Sequence, residues 1–522
     1  MKRVLRFLFS RYFVCAIFIV LELLVMIFLF EYALAFSAVL SVLARVISAL
    51  VLISLINRHS CPDFKITWLA LAMVAPIFGS VLYLIFSTRY LSRSERQHVK
   101  RIREGIENTS TFIKDKESSL ASLAALAGQN RAAAGRAYAI MSCDPFACLT
   151  PGGVLKYYPS GEAMYADLLE AIDTARHYVY LEYFIIEDGD MWQGIYSRLC
   201  KKAAEGIDVR VLYDDVGCLA TLPRGFDKEL GERGIKCRRF SRVTPTVTRS
   251  HNNRDHRKIL VADGSVAFTG GVNVADEYIN AKKKFGYWKD SGVRVCGDAA
   301  RGFARMFLLS YDLVGSGVSD YGQILDRELQ TAAEAQRSCT GGGFVMPIGS
   351  GPGPVYNESV GKAALMNIIN MATATLYITT PYLIIDYELT EALRNAARRG
   401  VDVRIITPGI PDKRLVYLMT RGSYKSLCEA GVRIFEYTPG FMHSKCIVAD
   451  GICAMVGSIN FDHRSLVHHF EDALVIFSSD AIEEITDDFF SSLALCRETC
   501  GTPLAVGERI MQSLMRIIAP LL

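Results

Sequence analysis

His256-Arg257-Lys258-Ile259-Leu260-Val261-Ala262-Asp263, then six residues, then Gly270-Gly271-Val272-Asn273, is a pattern that the chain uses twice. It returns as His443-Ser444-Lys445-Cys446-Ile447-Val448-Ala449-Asp450, six residues, and Gly457-Ser458-Ile459-Asn460. Histidine and lysine stand two apart in an apolar run that reads as a strand, so both side chains point to one face. The aspartate opens an Asp-Gly turn, Asp263-Gly264 and Asp450-Gly451. The next short strand runs into the small residues and the asparagine, where a ligand has room to approach the backbone.

The repetition extends well upstream. Copy one has a helix-like run from Tyr165 to Ala175, a strand from Tyr178 to Ile186, and a second helix leading to Gly206-Ile207-Asp208-Val209-Arg210-Val211. Copy two has a helix-like run from Lys362 to Ala372, a strand from Leu376 to Ile385, and a helix leading to Gly400-Val401-Asp402-Val403-Arg404-Ile405. Each glycine ends its helix, and the Val/Ile-rich run after it is a buried strand. The glycines are 400 − 206 = 194 residues apart and the histidines 443 − 256 = 187, so the copies keep their order and differ by a few loop residues. Strands alternating with helices predict parallel-type α/β sheets in both copies. Two related α/β domains side by side, with one site at the seam, is the economical architecture.

The residue types suit attack on a phosphodiester. An imidazole is a competent nucleophile near neutral pH, and a second one can protonate a leaving alkoxide. Lys258, Lys445, Asn273 and Asn460 supply donors for the equatorial phosphoryl oxygens. Asp263 and Asp450 are each available to hold an imidazole or a lysine, and Gly271 and Ser458 to admit the substrate. No cluster of carboxylates or cysteines competes to hold a metal, so the lysines take a metal's electrostatic role. His463, His468 and His469 follow the second motif without a metal partner set and read as a pocket rim or satisfied surface. His177 and His251 carry no chemistry on this reading.

Composition bounds the rest. Of the 522 residues, 51% are apolar, and the excess lies before residue 90. Three stretches, Tyr12 to Leu34, Phe36 to Ile56 and Ile66 to Phe86, are each about 20 residues long, enough to cross a bilayer. Lys2, Arg3, Arg6 and Arg11 precede them, and Arg89, Arg93, Arg96, Lys100, Arg101 and Arg103 follow. Such clusters mark cytoplasmic flanks and attract anionic headgroups. Basic flanks at both ends imply an even number of crossings and three stretches an odd one, so one stretch is expected to be re-entrant or interfacial. The catalytic part is expected on the cytoplasmic face of the cell membrane. A net charge of +4 does not argue for nucleic acid. Fourteen cysteines without a short-spacing framework read as free or buried thiols in a reducing compartment. Residues 92–137 read as a polar helical linker without chemistry. At the end, Ile510, Met511, Leu514, Ile517 and Ile518 share one face of an amphipathic helix, which packs on the core or lies in the membrane interface.

The two His-x-Lys-x4-Asp motifs resemble those of the phospholipase D superfamily, and in particular of bacterial cardiolipin synthases. The resemblance covers nearly the whole chain. It also rests on Tyr180-Leu-Glu-Tyr-Phe-Ile-Ile-Glu187, Asn253-Arg-Asp-His-Arg-Lys258, Gly270 to Tyr278, Tyr287-Trp-Lys-Asp290, Thr380-Pro-Tyr382 and Tyr437 to His443. It implies two repeated phospholipase D-like α/β domains with the active site at their interface, preceded by transmembrane helices. The expected limits are a membrane region at 1–91 with two to three spans, the linker at 92–137, a first domain at 138–338 and a second at 339–522. It further implies that a motif histidine attacks one phosphatidylglycerol, releases glycerol and passes the phosphatidyl group to a second phosphatidylglycerol, with no cofactor. By the same resemblance His256 is the better candidate nucleophile and His443 the general acid, later base. Asp255 departs from the family pattern, where Asn is common, and His469 does likewise. The competing readings are a hydrolytic phospholipase D, a phosphatidylserine synthase, a nuclease and a decayed scaffold. The apolar stretches argue against the nuclease, and the six intact signature positions argue against the scaffold.

Overall fold

The Asp-Gly turns decide the strand pairing. In the computed structural model, which describes residues 38–57, 62–74, 93–242, 253–326 and 342–500 with a few isolated positions elsewhere, both central residues of each turn have positive φ. The values are 53° and 59° at Asp263-Gly264, and 56° and 66° at Asp450-Gly451. Left-handed conformations at both positions match the twist of a hairpin. Ser265 N–H donates to Ala262 O and Ile452 N–H to Ala449 O, closing the two turns identically at 3.1 Å. Each motif strand is therefore antiparallel to the next one, which corrects the expectation of parallel sheets.

The chain separates into two units, residues 1–91 with 243–252 and 513–522, and residues 92–242 with 253–512. In the first unit the described helices are Ala38–Asn57 and Pro62–Val74. Val51, Leu55, Trp68 and Tyr83 form a small buried cluster, and Trp68 meets Tyr83 edge-on at 5.7 Å. Val42, Val46, Ile47, Leu50, Ile53 and Ile56 are exposed large apolar side chains of Ala38–Asn57. Among the described residues no helix is long and apolar enough to cross a membrane. The expected span Tyr12 to Leu34 lies almost wholly outside the described residues, as do His251 and most of the C-terminal helix.

The second unit contains two sheets with one plan. The first comprises β1 (Val154–Tyr158), β2 (Tyr178–Tyr183), β3 (Asp208–Asp214), β4 (Lys236–Phe240), β5 (Lys258–Ala262), β6 (Val266–Gly270) and β7 (Gly292–Cys296). Their order is β1-β7-β6-β5-β2-β3-β4. The second comprises β8 (Phe344–Ser350), β9 (Thr375–Thr379), β10 (Asp402–Pro408), β11 (Arg433–Tyr437), β12 (Cys446–Ala449), β13 (Cys453–Gly457) and β14 (Glu471–Phe477). Their order, β8-β14-β13-β12-β9-β10-β11, is the same arrangement shifted by seven labels, with Thr150–Pro151 and Cys496–Glu498 added at the edges. Within these two sheets, among the described residues, only β2-β3-β4 and β9-β10-β11 are parallel. These are the strands that the helical crossovers join.

The crossovers follow the sequence signals. Ser160 caps helix Gly161–Thr174, which leads into β2, by accepting from Ala163 N–H. The crossover helices themselves are Asp190–Ala204 and Tyr387–Arg398, the latter capped by Asp386, which accepts from Leu389 N–H. Gly206 and Gly400, with φ of 82° and 90°, end the equivalent second helices. Alternation then sorts the motif strand. Leu260 and Ala262 pack under the outer helices, while Ile259 and Val261 join Ile447, Val456 and Val475 of the other sheet in one shared core.

Residues 93–143 are more than a linker. Val99, Ile102, Phe112, Leu126, Ala137 and Ile140 belong to that shared core. Asp115 receives Arg301 at 2.7 Å and Arg305 at 2.5 Å in a buried cluster. Cys428 is bridged to Cys500. This corrects the reading of all cysteines as thiols: the edge strand Cys496–Glu498 docks on β11 and carries Cys500 to the end of helix Arg414–Cys428.

Candidate active site

Each histidine is placed by the opposite repeat. Just before His443, the segment Gly440–Met442 pairs in parallel with Tyr287–Lys289. Just before His256, Asp255 bridges to Phe470 in the same sense. His256 N–H donates to Phe470 O at 2.8 Å and His443 N–H to Lys289 O at 2.7 Å. Both donations cross from one repeat to the other, so the two motif strands begin at one seam.

The seam brings each ring to a carboxylate. His256 Nδ1 lies 2.9 Å from Glu471 Oε2, and His443 Nδ1 lies 2.6 Å from Asp290 Oδ2. A carboxylate at Nδ1 fixes the tautomer with the proton there and leaves the Nε2 lone pair free. Sequence reasoning quoted Asp290 within a family-like stretch and gave neither acid a role. A signal was present, because Asp290 follows His256 by 290 − 256 = 34 residues and Glu471 follows His443 by 471 − 443 = 28.

The lysines also sit at the seam. Lys258 Nζ donates to His256 O and Lys445 Nζ to His443 O. Lys445 Nζ additionally lies 2.9 Å from His443 Nδ1. Phe184 meets the His256 ring edge-on at 5.0 Å, and Trp288 and Tyr278 lie 5.2 and 5.4 Å from the His443 ring. All four motif side chains are buried.

The other signature residues are not arranged as anticipated. Asp263 accepts the backbone N–H groups of Arg176, His177 and Tyr178 at 2.7–2.9 Å. Asp450 accepts those of Thr373, Ala374 and Thr375 and a 2.6 Å bond from Arg136. Each lies in the turn at the far end of its motif strand, one strand length from the histidine, and locks that turn to the helix–strand junction beside it. They are positioning residues. Gly271 and Ser458 serve the carboxylates. A Cβ on Gly271 would stand 2.0 Å from Asp290 Oδ1, and Ser458 Oγ donates to Glu471 Oε2 at 2.5 Å. Asn273 is engaged at both ends, by Ile185 N–H at 3.1 Å and Tyr278 Oη at 2.7 Å. Asn460 differs, since its Oδ1 is buried without a hydrogen-bond partner.

Burial sets the electrostatics. It pushes the imidazole of His256 down to about 3, against the pull of Glu471, and that of His443 down to about 4, with Lys445 acting in the same direction. Both rings are neutral at pH 7. Burial also lowers Lys258 to about 8 and Lys445 to about 7, with the neighbouring carboxylates opposing it. Burial alone would raise Glu471, yet His256 beside it holds its carboxyl well below the usual range. Asp472, which accepts from Lys258 N–H at 3.2 Å, is pushed up to about 6 by burial.

Of the three histidines after the second motif, His469 does gain a metal partner set. One ligand atom each from His256, His469 and Glu471 falls within 4.8 Å of the others.

Two repeats of one mixed-sheet plan, each giving a His-Lys pair to a shared seam, define the phospholipase D-like class of protein. A sequence profile described as "Cardiolipin synthase, PLD-like domain" matches residues 168–295 and again 365–493. A cardiolipin synthase of Halalkalibacterium halodurans is 31% identical over 94% of both chains. A cardiolipin synthase of Staphylococcus aureus is 31% identical over 87% of this chain and 90% of that one. An uncharacterized protein of Streptococcus mutans is 40% identical over 70% of this chain and 78% of its own. Among solved structures, phosphatidylserine synthase of Haemophilus influenzae matches with a TM-score of 0.53 at 15% identity, covering 74% of this chain and 98% of that one, a likeness of fold. The chain belongs to the cardiolipin synthase, phospholipase D-like family.

Proposed function

We propose that this protein is a cardiolipin synthase that moves a phosphatidyl group from one phosphatidylglycerol to another through a phosphohistidine. The observation that carries the chemistry is the pairing of His256 with Glu471 and of His443 with Asp290 across the seam. In the first step His256 Nε2 attacks phosphorus, the P–O bond to the departing glycerol breaks, and His443 delivers a proton to that oxygen. In the second step His443 takes the proton from a hydroxyl of a second phosphatidylglycerol. That oxygen bonds phosphorus as the P–N bond breaks, and His256 is restored. Lys258 and Lys445 stabilise the charge on the equatorial oxygens.

The division of labour is supported by an asymmetry. Lys445 lies 2.9 Å from the His443 ring, which makes that ring electron-poor and suits it to give up a proton. Both rings have a carboxylate at Nδ1, Glu471 at 2.9 Å and Asp290 at 2.6 Å. Among the described residues, however, only His443 has a lysine Nζ at hydrogen-bond distance from its ring, so His256 is the freer of the two to take up the positive charge that builds on an attacking imidazole. His443 is neutral in the free protein and needs a proton to act as acid. The anionic phosphodiester supplies the negative charge that raises its proton affinity on docking.

The same proposal places the chain in the cell membrane as a multi-pass protein with its catalytic repeats on the cytoplasmic face. Three apolar stretches before residue 90 and their basic flanks support it, as do the exposed apolar side chains of Ala38–Asn57. The test uses full-length protein in phosphatidylglycerol vesicles. Equal amounts of glycerol and cardiolipin are expected. Phosphatidic acid as the only lipid product would make the protein a hydrolase, and no turnover would refute the proposal.

A further inference from the structure

We infer that the nucleophile's pocket is also an inhibitory binding site for a borderline-soft divalent ion, represented by Zn2+, held by His256, His469 and Glu471. The inference rests on the proposed function only in taking His256 to be the group whose loss stops turnover. Three observations support the site. One nitrogen of each histidine and a Glu471 oxygen lie within 4.8 Å of one another. The individual separations, 2.9 Å from His256 Nδ1 to Glu471 Oε2 and 3.6 Å from His469 Nδ1 to Glu471 Oε1, bracket the roughly 3.4 Å edge of a tetrahedron with bonds of about 2.0–2.1 Å. Both ring nitrogens of His469 are buried and have no hydrogen-bond partner, although the ring stands 5.5 Å from that of His256. A buried polar atom without a partner is costly, and an ion would satisfy it.

The donor set selects the ion. Two imidazoles and one carboxylate suit Zn2+, whereas Mg2+ and Ca2+ prefer oxygen ligands. Glu471 supplies negative charge against the Lys258 cation. A fourth position remains for water.

Binding there would block attack whichever nitrogen of His256 is used. Coordination through Nε2 takes the attacking lone pair directly. Coordination through Nδ1 moves the ring proton to Nε2, which then has no lone pair to offer. Inhibition should therefore be complete at saturation and should leave the phosphohistidine unformed.

The test measures cardiolipin formation by the full-length protein in phosphatidylglycerol vesicles against buffered free Zn2+, and separately measures ion binding by the visible absorption of Co2+ with the same protein in phosphatidylcholine vesicles, to which phosphatidylglycerol is then added. Wild type is expected to lose turnover at micromolar Zn2+ and regain it on chelation, and Mg2+ should not substitute. His469→Asn should turn over normally without metal, require at least about tenfold more Zn2+ for the same inhibition, and lose the tetrahedral Co2+ band. Wild type that is insensitive to Zn2+, or a variant as sensitive as wild type, would overturn the site. If His469→Asn fails to fold, wild-type Co2+ binding decides alone: a histidine-type band that phosphatidylglycerol displaces is required, and its absence refutes the site. A chain that makes no cardiolipin yet shows the band would refute the proposed function and leave the metal site standing.

Discussion

In the proposed mechanism two histidines share one chemistry, and each is oriented by a carboxylate from the other repeat. Replacing either removes a group that nothing nearby duplicates. His256→Asn and His443→Asn should each lower turnover by about 10³-fold or more at unchanged thermal stability, and a variant retaining near wild-type rate would sink the two-histidine mechanism. The lysines set the pH range. Burial lowers Lys258 to about 8 and Lys445 to about 7, so the cations that stabilise the phosphoryl oxygens are present below these values and lost as pH rises through them. kcat/KM should fall above pH 7 to 8, and the limb in kcat should lie higher because bound phosphodiester stabilises both cations. Asp472 is one of the carboxylates that hold the Lys258 proton against burial. In Asp472→Asn the alkaline limb of kcat/KM should therefore move to lower pH; a limb that stays in place would remove Lys258 from the assignment.

At the scale of elements, the motif strand was legible and its purpose only half so. Alternation in Lys258-Ile-Leu-Val-Ala262 predicts one face for His256 and Lys258, and the strand delivers both to the seam. The same reading tied Asp263 and Asp450 to the catalytic groups, because a motif read along the chain says nothing of what stands beside its turn. Asp-Gly is foremost a hairpin signal. Its carboxylate is free to reach the start of the preceding helix–strand junction, 263 − 178 = 85 residues earlier. Pairing partners at that separation leave no local periodicity. The reading of residues 92–137 as a linker fell short for a related cause: Arg136 looks like a solvated charge in an alanine-rich helix, yet it is buried against Asp450 at 2.6 Å. The two aspartates should consequently differ. Asp450→Ala strands a buried guanidinium and should cost about 3–5 kcal/mol. Asp263→Ala removes only a cap on backbone amides and should cost about 1–2 kcal/mol. In both variants the folded fraction should keep its KM and kcat within a few-fold. Chemical denaturation beside activity per folded molecule checks this, and equal losses of stability would mean that the Arg136 pair contributes nothing. Amides and Arg136 hold the Asp450 carboxyl below its ordinary value of 3.8, against its burial. That stabilisation is present above pH 4 and is lost as pH falls through the lowered value.

At the scale of the whole catalytic unit, duplication does not give two sites. The shared strand order made two half-sites legible in the sequence, because repeats at 187 and 194 residues preserve their order. What sequence could not supply was the crossing of partners. Glu471 serves the histidine 215 residues before it, and Asp290 the histidine 153 residues after it. Each half therefore contains a nucleophile-type histidine whose orienting acid is in the other half, and neither half is complete. Both rings face one seam, and only one phosphorus can be attacked at a time. Labelled phosphatidylglycerol mixed with full-length protein and quenched in alkali, where phosphohistidine survives, should trap at most one phosphatidyl group per chain. Peptide mapping should place it on His256. In His443→Asn the donor reaction still lacks its acid, so the label should appear slowly and then persist, because the base for the second step is also missing. In Glu471→Gln the His256 ring loses its anionic partner, and labelling should slow by about 10²–10⁴-fold. In Asp290→Asn the labelling site should remain His256, although the rate falls. Two labels per chain would mean that the repeats act as separate enzymes. A single label on His443 would keep the shared site and reverse the roles, and the Lys445 asymmetry would then no longer explain which ring attacks.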